Sequence, residues 1–220
     1  VSGGGRCNFT NTWADPKEHF LSANAHFCIS ALRRYTPWDF IALVEDNGIS
    51  YHEKKLGQQF CDHSAKDLLA MLLQEAQSAG VEIKTRVEVQ RVQSVQGGGF
   101  EVASSEHAYY ADKVVMASGG LSMPKISSDL AFRTARQFAL RVEETCPALV
   151  PLTWNNADRE HFAHLSGVSL PAIVSCGDTI FSEDILFTHR GLSGPAILQI
   201  SSYWAPGDAV EIDLLPDIDA

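Results

Sequence analysis

One ordered run of segments constrains the fold more than any other feature of the chain. Residues 64–78 read as a helix: Ser64 supplies the cap, and Leu68, Leu72, Ala76 and Ala79 follow one face with Leu69 and Leu73 beside them. Gly80 ends it. Val81, Ile83, Thr85, Val87 and Val89 then alternate with Glu82, Lys84, Arg86 and Glu88, the period of a strand with one wet face. Gly97-Gly98-Gly99 turns the chain back into residues 100–104. Residues 113–118 are nearly continuously apolar, as a fully buried parallel strand is, and they exit into Gly119-Gly120. Helix, strand, hairpin, buried strand and glycine exit in this order predict an α/β sheet with a β-meander appended.

Upstream, residues 27–35 read as a short helix. Thr36 then caps a second helix that has Pro37 in its first turn and Asp39 reaching back, and Asn47-Gly48 stops it. Composition shifts near Cys146-Pro147. Prolines become regular and short strands dominate, at 149–154, 172–175, 184–188 and 209–214, with one short helix at 195–201. This places a domain boundary near residue 147, dividing the chain into 1–147 and 148–220.

Three segments carry ligand-binding character. Gly3, Gly4 and Gly5 are followed by Arg6, Cys7 and Asn8, a sequence suited to backbone that passes close to an anion. A flexible glycine-rich terminus is the alternative, and Arg6, Cys7, Asn8, Thr10 and Asn11 favour a site. Such a loop normally follows a strand, so the chain is expected to be an internal piece of a larger ligand-binding protein. Ala117, Ser118, Gly119 and Gly120 stand where the buried strand ends, the edge at which open α/β sheets bind ligands. Thr188, His189, Arg190, Gly191, Ser193 and Gly194 make a strand-to-turn segment before Pro195. Ser193 does not sit in a Gly-x-Ser-x-Gly elbow, so nucleophilic serine chemistry is disfavoured. His189 reads as a structural turn residue ahead of a proton donor.

The net charge of −10 argues against a general nucleic-acid-binding surface and leaves a local basic patch open. No apolar stretch approaches a membrane span. Cys7, Cys28, Cys61, Cys146 and Cys176 are widely spaced, with no paired zinc-ligand spacing, and read as reduced thiols of a cytoplasmic protein. No metal site is expected. His161 and His164, three apart, lack the further ligands of a zinc helix.

The segments 2–11, 117–124 and 186–196, standing in that order, resemble signatures of the BaiN/YhiN-type NAD(P)/FAD-dependent oxidoreductases, aminoacetone-oxidase-type flavoproteins. The resemblance covers essentially the whole chain. It implies a partial FAD-binding domain of glutathione-reductase (Rossmann) type, with a mainly-β inserted domain beginning near Ala148. It implies FAD along Gly3 to Asn8, adenine at the backbone of Val89, a close approach by Ala117 to Gly120, and residues 188–194 presented toward the flavin. NAD(P)H is the implied electron donor and a small molecule the substrate, with neither nucleic acid nor membrane as partner. No catalytic side chain is assigned. The chain departs from the family pattern in two ways. The dinucleotide fingerprint is expected upstream of Val1. A glycine-bearing segment is replaced by Ser127-Ser128-Asp129-Leu130-Ala131-Phe132, which predicts strain at Ser127 and Ala131 if that backbone needs φ > 0. A fold that has lost its cofactor and serves as a binding or structural protein is the alternative.

Overall fold

The computed structural model describes residues 7–122 and 128–216. The chain divides into two compact units, Val1–Arg86 and Val87–Ala220. The compositional boundary near residue 147 falls inside the second.

In the first unit, strand β1 (Asn8–Asn11) is followed by helices α1 (Ile29–Arg34) and α2 (Pro37–Asp46), strands β2 (Tyr51–Glu53) and β3 (Gln58–Cys61), and helix α3 (Ala65–Ser78). The strands form an antiparallel sheet in the order β1-β3-β2, with Asn8 opposite Phe60 and Tyr51 opposite Cys61. Both longer helices begin with reciprocal caps, Thr36 with Asp39 and Ser64 with Asp67. Each cap satisfies backbone N–H groups that the first turn leaves unpaired, and is worth about 1 kcal/mol. Buried Val44, Cys61, Leu68 and Met71 form the core, with Phe9, Phe40 and Tyr51 packed against it. Phe9 stands edge-on to both rings, at 5.9 Å from Phe40 and 5.5 Å from Tyr51.

The second unit opens with an antiparallel meander of β4 (Val89–Ser94), β5 (Phe100–Ser104) and β6 (Ala108–Ala111). Helix α4 (Leu130–Gln137) packs on it, and Gln137 Nε2 donates to the Val92 carbonyl at 2.8 Å. Farther along the chain come β7 (Leu152–Thr153), α5 (Asn156–Phe162), β8 (Ser169–Cys176), β9 (Thr179–Thr188), β10 (Gly191–Ser193), α6 (Pro195–Ile200) and β11 (Glu211–Asp213). These five strands pair antiparallel in the order β11-β8-β9-β10-β7. Helix α6 covers β8 and β9, burying Ile197 and Ile200 with Val174 and Ile185.

The segments read as strands at 81–88 and 113–118 differ from expectation. Neither pairs with a described strand, and Val115 is 88% exposed. Apolar character marks a buried strand only where neighbouring strands exist to cover it, and none of the described residues does so here. Every ladder among the described residues is antiparallel. Among the described residues of the glycine-poor stretch the backbone shows no strain: residues 130–132 open α4, and none of residues 128–132 has positive φ. Ser127 lies outside the described residues.

Candidate functional site

Gly3, Gly4, Gly5 and Arg6 lie outside the described residues. Cys7 is half-buried against the first core, and its carbonyl accepts from Cys61 N–H at 3.2 Å. With its amide oriented to satisfy both groups, Asn8 Nδ2 donates to the carbonyls of Thr10 (3.0 Å) and Gln59 (3.3 Å). Asn11 holds the next turn. Its Oδ1 accepts from Trp13 N–H at 2.8 Å, and its Nδ2 donates to the Leu56 carbonyl at 3.0 Å. The amides that the sequence pattern aims at a ligand thus tie β1 to itself and to the β2–β3 hairpin. Burial pushes the Cys61 thiol above its ordinary value, with the charges of Cys7, Asp67 and Asp62 adding to the effect. It is a packed group closed to solvent.

Beside β1 lies a concavity of about 700 Å³, walled by Asn8 and Thr10 and by Phe20, Arg33, Tyr35 and Trp38. The motif at residues 2–11 marks the β1 side of it and gives no hint of the other. The signal for that other side is the density of aromatic and basic residues in Arg33-Arg34-Tyr35 and Trp38, which in sequence looks like ordinary helix.

In the second unit, Val89 is the first residue of β4 and pairs with Ser104. Ala117, Ser118, Gly119 and Gly120 follow the meander outside any helix, strand or turn. Gly119 adopts φ of +76°, and a Cβ on either glycine would meet no atom of the described residues within 4 Å. Ser118 Oγ is shut away from solvent with no hydrogen-bond partner among the described residues. Such a hydroxyl costs about 1–3 kcal/mol until something accepts from it or donates to it. An unsatisfied hydroxyl next to open glycine backbone fits a polar group laid against this segment.

The segment 188–194 is the tight β9–β10 hairpin. Thr188 Oγ1 donates to the Gly191 carbonyl at 2.8 Å and accepts from the N–H groups of Arg190 and Gly191. A Cβ on Gly191 would stand 1.9 Å from the Leu152 carbonyl oxygen, and one on Gly194 2.7 Å from that of Asp184. Ser193 pairs with Leu186 inside the ladder. Thr188, Gly191, Ser193 and Gly194 therefore have structural duties, while His189 and Arg190 are exposed at the tip. Among the described residues no group of three or more His, Cys, Asp or Glu could hold a metal ion. No helix among them is long and apolar enough to cross a membrane.

The family model of the HI0933-like protein Rossmann domain matches residues 1–196. The chain belongs to that family. A ribosomal RNA dihydrouridine synthase of Escherichia coli is 48% identical over 221 residues, covering all of this chain and 55% of that protein. One of the same name from Haemophilus influenzae is 45% identical over 223 residues, covering 99% of the chain and 55% of the relative. A 3-dehydro-bile acid delta(4,6)-reductase of Clostridium scindens is 27% identical over 234 residues, covering 100% and 56%. The chain therefore spans little more than half the length of these relatives. The family is the coarser form of the resemblance drawn from the three motifs.

Proposed function

We propose that this chain is part of a cytoplasmic, FAD-dependent reductase that converts uridine of ribosomal RNA to dihydrouridine with NAD(P)H as donor. The observation that carries the proposal is 48% identity along the entire chain to a relative of that name. NAD(P)H would give up two electrons through bound FAD, which reach the C5=C6 bond of uracil as hydride, a proton completing the saturated ring. The chain's own residues supply position. The loop from Gly3 to Asn8 would lie along the cofactor and the backbone of Val89 would meet its adenine. The open backbone from Ala117 to Gly120 would approach it, with the Ser118 hydroxyl paired to one of its polar atoms. At Ala131 the backbone is helical and free of positive φ, which favours retention of the cofactor over its loss.

A ribosomal RNA substrate departs from the small-molecule expectation. The charge of −10 disfavours a general polyanion-binding surface, but a dedicated site needs only a local patch. The test is nucleoside analysis of ribosomal RNA from a strain lacking the gene. A dihydrouridine lost on deletion and restored by the full-length gene is the expected result. Unchanged dihydrouridine overturns the proposal.

A further inference from the structure

Residues 13–38 carry a surface unlike the rest of the chain. They hold three basic side chains, Lys17, Arg33 and Arg34, and two acidic ones, Asp15 and Glu18, with Asp39 next in sequence, within a chain of net charge −10. Trp38 is 63% exposed, Tyr35 54% and Phe20 40%, although each brings a large ring that water solvates poorly. These three rings and Arg33 line the concavity beside β1. Arg33 also lines a second, adjoining concavity with His26, Ile29 and Arg34. Neither arginine forms an ion pair among the described residues. Asp15, the one acidic residue among the described residues of the wall, accepts from Lys17 N–H at 2.7 Å.

Open aromatic faces together with uncommitted guanidinium groups suit unpaired nucleic acid. Bases stack on the rings and phosphates meet the forked donors. An acidic remainder repels a polyanion, which confines binding to this patch. The same concavity reaches Asn8 and Thr10, just past the glycine–arginine loop, so a base held there lies beside the strand leading out of that loop.

We infer that the surface formed by Phe20, Arg33, Arg34, Tyr35 and Trp38 docks unpaired RNA, with a base stacked on the aromatic wall and phosphates on the two arginines. The inference rests on the ribosomal RNA reading above and adds the place where the RNA is held.

The experiment uses the full-length protein and a labelled, unstructured, uridine-rich RNA of about a dozen nucleotides, titrated at several salt concentrations. R33A/R34A should weaken binding by at least tenfold at low salt. It should also flatten the dependence of log K on log salt by about 0.7 for each phosphate left without its arginine. W38A should weaken binding by about fivefold or more with the salt slope unchanged. Flavin content and flavin reduction by NAD(P)H, measured on the same samples, should match the parent protein in both variants. RNA binding by the variants equal to that of the parent, or no RNA binding by the parent, overturns the inference. Dihydrouridine content of the deletion strain tests the enzymatic reading separately, so that a protein making dihydrouridine with Arg33 and Arg34 dispensable fails only the docking inference.

Discussion

Asn11 Oδ1 stands 2.6 Å from the point a Cβ would occupy on Gly57, and two ring carbons of Trp13 stand 2.8 Å from it. Gly57 also has φ of +75°, which side chains with a Cβ resist. Its N–H donates to Glu53 Oε1 at 3.1 Å, and its carbonyl accepts from Thr12 N–H at 2.9 Å. The hairpin glycine and the strand asparagine thus hold β1 in place, and β1 forms one wall of the concavity. G57A should destabilise the protein by more than about 1 kcal/mol, since alanine at positive φ loses more than the entropy it gains. Thermal unfolding should show a lowered midpoint. An unchanged midpoint would mean that the turn relaxes freely.

The β9–β10 hairpin separates structural from functional readings of its motif. At Gly191 any Cβ meets the Leu152 carbonyl at 1.9 Å, which cannot be relieved without parting β7 from β10. G191A should therefore lower solubility and unfolding temperature sharply. H189A, at an exposed tip, should stay within about 0.5 kcal/mol of the parent, as surface substitutions do. A loss of turnover in H189A without loss of stability would assign the imidazole to substrate, and equal stability of G191A would refute the packing argument.

Hydrogen bonds from the Thr36 hydroxyl and then its backbone N–H hold the Asp39 carboxyl below its ordinary 3.8. A carboxylate with a depressed pKa in the folded state adds stability above its unfolded value and loses it as pH falls through the folded one. The Thr36–Asp39 cap should therefore contribute near neutral pH and fade below about pH 4. D39N should be less stable than the parent at neutral pH and nearly equal to it at acid pH. Urea unfolding across that range would show the two curves converging, and parallel curves would count against the cap. Cys61 shifts the other way. Its buried thiol should resist alkylation up to alkaline pH in the native protein, while exposed Cys146 reacts first.

Features set by neighbours in sequence are legible in the sequence. Thr36 and Ser64 cap their helices because the partners, Asp39 and Asp67, are three residues away. The strand at residues 100–104 is bounded by a glycine turn that any reading would mark. Features set by distant partners are not legible. Asn11 reads as a ligand-facing residue until Leu56, 45 residues on, is seen accepting its amide. Residues 113–118 read as buried because apolarity is the only local signal, whereas exposure depends on strands elsewhere. Arg33 and Trp38 are visible as letters, yet what sets them apart, exposure without an ionic partner around one concavity, exists only in three dimensions.

Ser118 offers the sharpest test of the cofactor reading. Its hydroxyl is buried and, among the described residues, unpartnered, an arrangement that lowers the stability of the protein without ligand. Replacing it by alanine removes an unsatisfied polar atom while leaving the open backbone of Gly119 and Gly120 untouched. S118A of the full-length protein should therefore be as stable as the parent, or more so, once stripped of flavin. If the hydroxyl pairs with FAD, the same variant should bind FAD about five- to tenfold more weakly, the worth of one hydrogen bond of roughly 1 kcal/mol. Fluorescence titration of FAD into stripped protein measures the affinity, and thermal unfolding of the same sample measures the stability. Opposite signs in the two measurements identify a hydroxyl kept for a ligand. Lowered stability with unchanged FAD affinity would assign Ser118 to packing and remove this segment from the cofactor site.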